Sequence, residues 1–115
     1  MYTVLIVDDE EPVIESYSFI LEGGVDGFLL AGTARTGTEA IARIHELKPD
    51  VVFMDINMPG LDGLEAIERV HDYFPKTVFV LSTAYERFDL ARRAIPLGVF
   101  TYLVKPVTRK TFLET

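Results

Sequence analysis

The chain has 115 residues, 49% of them hydrophobic, and a net charge of −7. This length supports one domain with a single core, and the acidic surface should repel nucleic acid and anionic membranes. The chain has no cysteine, which excludes disulfides, thiolate catalysis and Cys-ligated zinc. Because no apolar run approaches the roughly 18 residues of a membrane helix and the first residues lack a signal-peptide pattern, we expect a cytoplasmic protein.

Five short apolar runs predict β-strands. They are rich in Val, Ile, Leu, Phe and Tyr, and in chain order they read YTVLIV (2–7), FLLAGTA (28–34), VVFMD (51–55), TVFVLS (77–82) and FTYLV (100–104). Such nearly continuous apolar runs are typical of strands that are buried on both faces of a sheet.

The segments between these runs have the residue spacing of amphipathic helices. Their start and stop signals are Pro12, Gly23-Gly24, the capping-box pattern of Thr36 with Glu39, and Lys48-Pro49. Apolar residues recur on one face of each predicted helix: Ile14, Tyr17 and Leu21; Ile41, Ile44 and Leu47; Leu64, Ile67 and Val70; Phe88, Ala91 and Ile95. A fifth helix is expected to begin near Thr108 and to be cut short at residue 115.

Strict alternation of strands and helices predicts an α/β fold. We expect a doubly wound, five-stranded parallel sheet in the order 2-1-3-4-5, with helices on both faces. Residues 1–115 would form one domain, and any output domain would lie beyond residue 115. Ligands of such sheets bind at the carboxyl ends of the strands, near the switch point between strands 1 and 3.

Charged and hydroxyl side chains stand at the carboxyl ends of four predicted strands. These are Asp8-Asp9, Asp55, Ser82-Thr83 and Lys105. Two carboxylates about 5 Å apart repel each other by roughly 3 kcal/mol at an effective dielectric constant near 20, and a divalent cation would remove that repulsion. Mg²⁺ prefers oxygen ligands and keeps water or phosphate at its other positions, so the three aspartates predict an incomplete Mg²⁺ site. Taken singly, Asp9 also fits a helix N-cap and Asp55 a turn.

These motifs resemble the receiver domain of two-component response regulators. The resemblance is carried by VDDE (7–10), MDINMPGLDG (54–63), LSTAY (81–85) and LGVFTYLVKP (97–106), and it spans nearly the whole chain. It implies a flavodoxin-like fold of the kind found in chemotaxis regulators, and a partner sensor histidine kinase.

The resemblance also implies a role for each matching residue. Asp55 would accept the phosphoryl group. Asp9, Asp55 and the backbone carbonyl of Asn57 would bind Mg²⁺ directly, and Asp8 would bind it through water. Thr83 would be the switch hydroxyl, Lys105 the cation that faces the phosphoryl oxygens, and Tyr102 the aromatic switch residue. The Lys105-Pro106 peptide bond would be cis.

Helix 4, strand 5 and helix 5 are expected to form the output face, because Thr83 and Tyr102 border it. This face would act on an output domain or a downstream protein, as in transcription regulation, and could form a homodimer. The domain itself would contact no nucleic acid or membrane, and it would not be an enzyme in the usual sense.

Three other functions fit the sequence less well. A haloacid-dehalogenase-type phosphatase needs a second acid where this chain has Asn57, and a flavodoxin-like electron carrier needs a phosphate-binding loop where this chain has DDEEPV. A degenerate receiver that only binds partners would not need the complete set of acidic and basic residues.

Overall fold

The computed structural model describes residues 2–23, 27–56, 58, 60–83 and 101–104, of which 83 and 101–104 are described by their strand pairing. In chain order the strands are β1 (Tyr2–Val7), β2 (Phe28–Ala34), β3 (Val51–Asp55), β4 (Val78–Thr83) and β5 (Thr101–Val104). They form one parallel sheet in the order β2-β1-β3-β4-β5. The strand order and parallel arrangement predicted from the sequence are therefore confirmed.

Three helices connect the described strands: α1 (Glu11–Glu22), α2 (Gly37–Leu47) and α3 (Gly63–Val70). Pro12 lies in the first turn of α1, where its missing N–H leaves no bond unmade, and Gly23 ends this helix. Lys48 ends α2 with a left-handed backbone (φ 46°) before Pro49. The predicted start of α1 at Pro12 and the predicted stops of α1 at Gly23 and of α2 at Lys48-Pro49 are thus confirmed, whereas Gly24 lies outside the described residues.

The capping prediction is only partly right. At α2 the side chain of Thr36 accepts a hydrogen bond from the backbone N–H of Glu39, at 3.0 Å. The reciprocal pair of a complete capping box lies instead at α3, where Asp62 and Glu65 each accept a hydrogen bond from the other's backbone N–H. The sequence D-x-x-E at positions 62–65 is the signal that would have predicted it.

Helices cover both faces of the sheet because side chains of a strand alternate between its faces. On one face, Leu5, Val7, Val52 and Met54 pack with the buried sides of α2 and α3. On the other face, Val4, Ile6, Phe53 and Val80 pack with Ile14, Tyr17, Ile20 and Leu21 of α1. The two apolar clusters hold β1 and β3 in the centre of the described part of the domain.

The prediction that every strand is buried on both faces is wrong for β2. This strand lies at the edge of the sheet, and the side chains of Phe28 and Leu29 are 37% and 55% exposed. An apolar run shows that a strand packs against the core. It does not show whether the strand lies at the edge of the sheet, where fewer neighbours cover its side chains.

The fourth and fifth helices predicted from the sequence lie outside the described residues, and so does the output face that includes them. Among the helices that the structure describes, none has the length and apolar character needed to cross a membrane.

Candidate metal centre at the carboxyl ends of the strands

Parallel pairing brings the ends of β1, β3 and β4 to the same edge of the sheet. Val7 pairs with Met54, so that Asp8 and Asp55 follow on neighbouring strands, and Asp55 pairs with Ser82 of β4. The backbone N–H of Asp8 donates to the carbonyl oxygen of Ala34, at 3.0 Å. The chain is therefore fixed on both sides of the point where the acidic residues begin.

Three carboxylates meet at this edge and form the acidic cluster, Asp8, Asp9 and Asp55. One carboxylate oxygen from each lies within 4.8 Å of the other two. Asp8 and Asp55 are buried, with 1% and 2% exposure, whereas Asp9 is exposed. Two buried carboxylates at this separation repel each other strongly, so their positions are best explained by a function that needs them together.

The donor set of the cluster fits Mg²⁺. Carboxylate oxygens are hard ligands, and a site with few protein ligands and one exposed side leaves room for water or a phosphoryl oxygen. Asp8 is also oriented locally, because its Oδ1 accepts a hydrogen bond from the backbone N–H of Glu10, at 2.9 Å. Asp9 is not the N-cap of α1, since Glu10 holds that position. The alternative explanation of Asp9 as a helix cap is therefore wrong.

The backbone of Asp55 is supported closely by α3. A Cβ atom on Gly63 would lie only 2.2 Å from the carbonyl oxygen of Asp55, so no other residue fits there without displacing the strand end. The N–H of Gly63 donates to the carbonyl oxygen of Ile56, and the N–H of Ile56 donates to the carbonyl oxygen of Ser82. Gly63, the last residue of the MDINMPGLDG motif, thus lets α3 begin directly against the acidic cluster.

Tyr17 lies on the core side of the cluster, and sequence reasoning gave it no role there. The ring is 3% exposed and contacts the ring of Phe53, with centroids 6.0 Å apart. Burial raises the pKa of the Tyr17 phenol well above its usual range, and the negative charges of Asp8 and Asp55 add to this effect. A hydroxyl on the buried face of a predicted helix was the signal that could have drawn attention to it.

The exposed rim of the cluster carries an ion pair between Glu11 and Arg35. Glu11 begins α1 directly after the acidic residues of the β1–α1 connection, and Arg35 directly follows β2. These residues are 24 positions apart in the sequence, so no local spacing could have predicted their contact.

The other predicted site residues are only partly described. The backbone of Thr83 pairs with Val104, and that of Tyr102 pairs with Leu81. Both residues therefore lie near the carboxyl ends of the strands, where the acidic cluster is. The side chains of Thr83 and Tyr102 lie outside the described residues, as do Asn57, Lys105 and Pro106. Met58 lies in the connection after β3 and is buried in the core.

The fold and the acidic cluster together define a doubly wound α/β domain with an oxygen-ligand site at the switch point of its sheet. The model of the response regulator receiver domain matches residues 4–115. The chain therefore belongs to the response regulator receiver family of two-component signalling, and the acidic cluster is compatible with the Mg²⁺ dependence that is general in this family.

Individual relatives agree with this assignment. The chain is 40% identical over 112 residues to the positive alginate biosynthesis regulatory protein of Pseudomonas aeruginosa, covering 96% of this chain and 44% of that protein. It is 35% identical to the chemotaxis protein CheY of Treponema pallidum, covering 98% of this chain and 78% of that protein. The structure of a CheX–CheY–BeF3–Mg complex from Borrelia burgdorferi superimposes with a TM-score of 0.88 at 28% identity, covering 98% of this chain and 84% of that one.

Several regulatory relatives are much longer than this chain. It spans 31–46% of the length of three curated regulatory proteins that it matches. This chain therefore corresponds to only one part of each of these longer regulatory proteins.

Proposed function

We propose that this chain is a phosphorylation-controlled switch in which Asp55 accepts a phosphoryl group from a sensor histidine kinase in a Mg²⁺-dependent reaction. The observation that supports this most directly is the convergence of three carboxylate oxygens within 4.8 Å, with Asp55 buried at the end of a central strand. A structural role alone gives no reason to keep two buried carboxylates together beside a third, exposed one.

The metal would be held by Asp9, Asp55 and the backbone carbonyl oxygen of Asn57, with Asp8 acting through water. When bound, Mg²⁺ supplies positive charge that offsets the repulsion between the carboxylates and the charge on the phosphoryl oxygens. The backbone of Asp55 is held by the sheet and packed closely by α3, so this ligand would be in position before a phosphodonor arrives.

In the transfer step, one oxygen of the Asp55 carboxylate attacks the phosphorus atom of a phosphohistidine. An O–P bond forms while the P–N bond breaks, and the released imidazole takes up a proton from solvent. The product is an acyl phosphate with nearly two negative charges and three acceptor oxygens. Phosphoryl transfer depends mainly on in-line geometry and neutralised charge, which is why a strand-end carboxylate held by a rigid sheet suits the acceptor role.

The new phosphoryl group would be read by residues at the ends of the next two strands. The ammonium group of Lys105 would face its oxygens, and the hydroxyl of Thr83 would donate a hydrogen bond to one of them. Tyr102 would then fill the space that Thr83 leaves. A cis bond between Lys105 and Pro106 would set the direction of the lysine. The phosphoryl group would thereby favour one of two arrangements of the output face.

The output that we propose is control of an attached output domain or a downstream protein, with transcription as the process regulated. Support comes from the names of longer relatives, which include transcriptional regulatory proteins. The output face would serve as a homodimer surface where dimerisation transmits the signal. The net charge of −7 argues against direct contact of this domain with nucleic acid. The domain would modify only its own Asp55 and turn over no separate substrate.

The test is intact-mass measurement after incubation with acetyl phosphate, with Mg²⁺ or with EDTA. We expect one added phosphoryl group in the wild type with Mg²⁺, and none with EDTA or in Asp55→Asn. Asp72→Asn, which removes a carboxylate from an 84% exposed side chain, should be phosphorylated like the wild type. A folded wild type that gains no phosphoryl group would contradict the proposal and favour a receiver that only binds partners.

A further inference from the structure

The ion pair between Glu11 and Arg35 lies at the entrance to the acidic cluster. Arg35 is the residue after Ala34, whose carbonyl oxygen accepts the N–H of Asp8. Glu11 is the first residue of α1, three positions after Asp8. The side chains of Glu11 and Arg35 are 45% and 60% exposed, so both charges are accessible to solvent.

Among the residues that the structure describes, those beside the cluster carry a strongly negative charge if Arg35 is left out. Asp9 of the cluster is followed directly by Glu10 in the β1–α1 connection and by Glu11 at the start of α1. Within the described ranges, the other arginines and lysines lie elsewhere, and one of them, Arg69, is in the last turn of α3. Arg43 is paired with Glu46 along α2, and Lys48 and Lys76 line a cavity of about 280 Å³ at the opposite edge of the sheet.

Arg35 can therefore affect the binding of charged ligands at the site, although its ion pair is exposed. An exposed ion pair contributes little to stability, but a charge at the mouth of a site changes the local concentration of charged ligands. Mg²⁺ and phosphodonors have opposite charges, so the same rim charge must act on them in opposite directions.

We propose that the Glu11–Arg35 pair determines phosphodonor specificity by setting the charge of the entrance, so that Arg35 favours dianionic donors over monoanionic ones. The proposal rests on the proposed function, because it assumes that Asp55 is phosphorylated. Glu11 limits this preference by offsetting the charge of Arg35. The net charge of the two residues therefore sets the ratio of phosphorylation rates with dianionic and monoanionic donors.

The size of the effect follows from Coulomb's law. In water at low ionic strength, a unit charge about 10 Å away changes the binding of a doubly charged ligand by about fourfold and that of a singly charged ligand by about twofold. Raising the salt concentration to about 0.5 M shortens the screening length to about 4 Å and should remove most of the difference.

The test compares wild type, Arg35→Gln, Glu11→Gln and Arg43→Gln at low salt. Arg43→Gln is the matched control, because it removes the same charge from another exposed Arg–Glu pair. Arg43 lies on α2, about 9 Å along the helix axis from its first residue, Gly37. The probes are acetyl phosphate, which is a dianion at neutral pH, phosphoramidate, which is a monoanion, and Mg²⁺ alone. Phosphorylation rates are read by intact mass, and Mg²⁺ affinity by the rise in melting temperature.

We expect Arg35→Gln to lower the ratio of acetyl phosphate to phosphoramidate rates about twofold and to tighten Mg²⁺ binding about fourfold. Glu11→Gln should shift both quantities in the opposite direction. Arg43→Gln, whose charge lies further from the cluster, should produce clearly smaller shifts, and about 0.5 M salt should suppress all the shifts. Equal changes for both donors, or a control that behaves like Arg35→Gln, would overturn the proposal.

The two proposals fail in distinguishable ways. If the wild type is not phosphorylated by either donor, the proposed function fails, and the donor specificity that depends on it fails too. The Mg²⁺ measurement then still reports the charge of the entrance. If the wild type is phosphorylated but the rate ratio is the same in all four proteins, the acceptor role of Asp55 stands and the role of Arg35 is refuted.

Discussion

Replacing Asp8 with Asn should stabilise the metal-free protein and weaken its response to Mg²⁺. The Asp8 carboxylate is 1% exposed and lies within 4.8 Å of the carboxylate oxygens of Asp9 and Asp55. At that distance and an effective dielectric constant of 20, one carboxylate pair repels by about 3.5 kcal/mol. Solvent screens the exposed Asp9, and Asn gives up the other favourable contacts of the charged group, so we expect a net gain of about 1–2 kcal/mol.

The substitution removes charge but preserves the local hydrogen bond. The side-chain oxygen of the introduced asparagine can accept the N–H of Glu10 as the Oδ1 of Asp8 does, at 2.9 Å. A gain of about 1–2 kcal/mol corresponds to a rise of about 4–8 °C in melting temperature for a domain of this size. In the wild type, Mg²⁺ at about ten times its dissociation constant should add about 1.4 kcal/mol, and this increment should shrink in the variant.

The assay is thermal and urea unfolding followed by circular dichroism, in EDTA and in Mg²⁺. Asp62→Asn is the matched control, because Asp62 also accepts a backbone N–H through a side-chain oxygen, as the N-cap of α3. Asn is an N-cap of similar strength, so this variant should lose only a few tenths of a kcal/mol through the helix dipole and keep the full response to Mg²⁺. If Asp8→Asn destabilised the protein in EDTA, or left the Mg²⁺ increment unchanged, charge repulsion within the cluster would be refuted as the dominant effect.

Three further predictions concern residues around the site. Because the folded state raises the pKa of Tyr17 above its usual value near 10.0, the associated stability is fully present below about pH 10 and is lost as the pH rises toward the folded pKa. Tyr17→Phe should flatten this alkaline loss in urea unfolding measured from about pH 9 to 11, and an unchanged slope would contradict it. Gly63→Ala should destabilise the domain by about 2 kcal/mol or more and slow phosphorylation of Asp55, because its Cβ would lie 2.2 Å from the Asp55 carbonyl oxygen; wild-type unfolding and rate would be the opposing result. Thr36→Ala should lower the unfolding free energy by about 1 kcal/mol by removing the cap of the Glu39 N–H, whereas Thr36→Ser should restore most of it.

The sequence was sufficient for the order of the sheet because the strands are short apolar runs with clear helix signals between them. The runs at 28–34 and 51–55 match β2 and β3 residue for residue. It was not sufficient for the exposure of Phe28, since burial of an edge strand depends on what lies beside it. It also missed the capping box at Asp62, although the spacing to Glu65 was present.

The acidic cluster could be predicted because parallel strands bring their carboxyl ends to one edge, and this rule does not depend on side-chain detail. Asp8 and Asp55 meet for that reason. The ion pair of Arg35 with Glu11 could not be predicted, because it joins the connection after β2 to the start of α1, and their relative position depends on how α1 packs on the sheet. Tyr17 was correctly assigned to the core, but its position near two buried carboxylates depends on the tilt of the helix.

The most direct test of the proposed switch is to locate the phosphoryl group on the chain. After reaction with acetyl phosphate and Mg²⁺, borohydride should reduce the acyl phosphate to an alcohol, which converts the modified aspartate to homoserine and can be located by tandem mass spectrometry. We predict homoserine at position 55 only, with none in the sample treated with EDTA. Homoserine at Asp8 or Asp9, or phosphoryl groups on hydroxyl side chains that resist borohydride, would contradict the assignment of Asp55 as the acceptor.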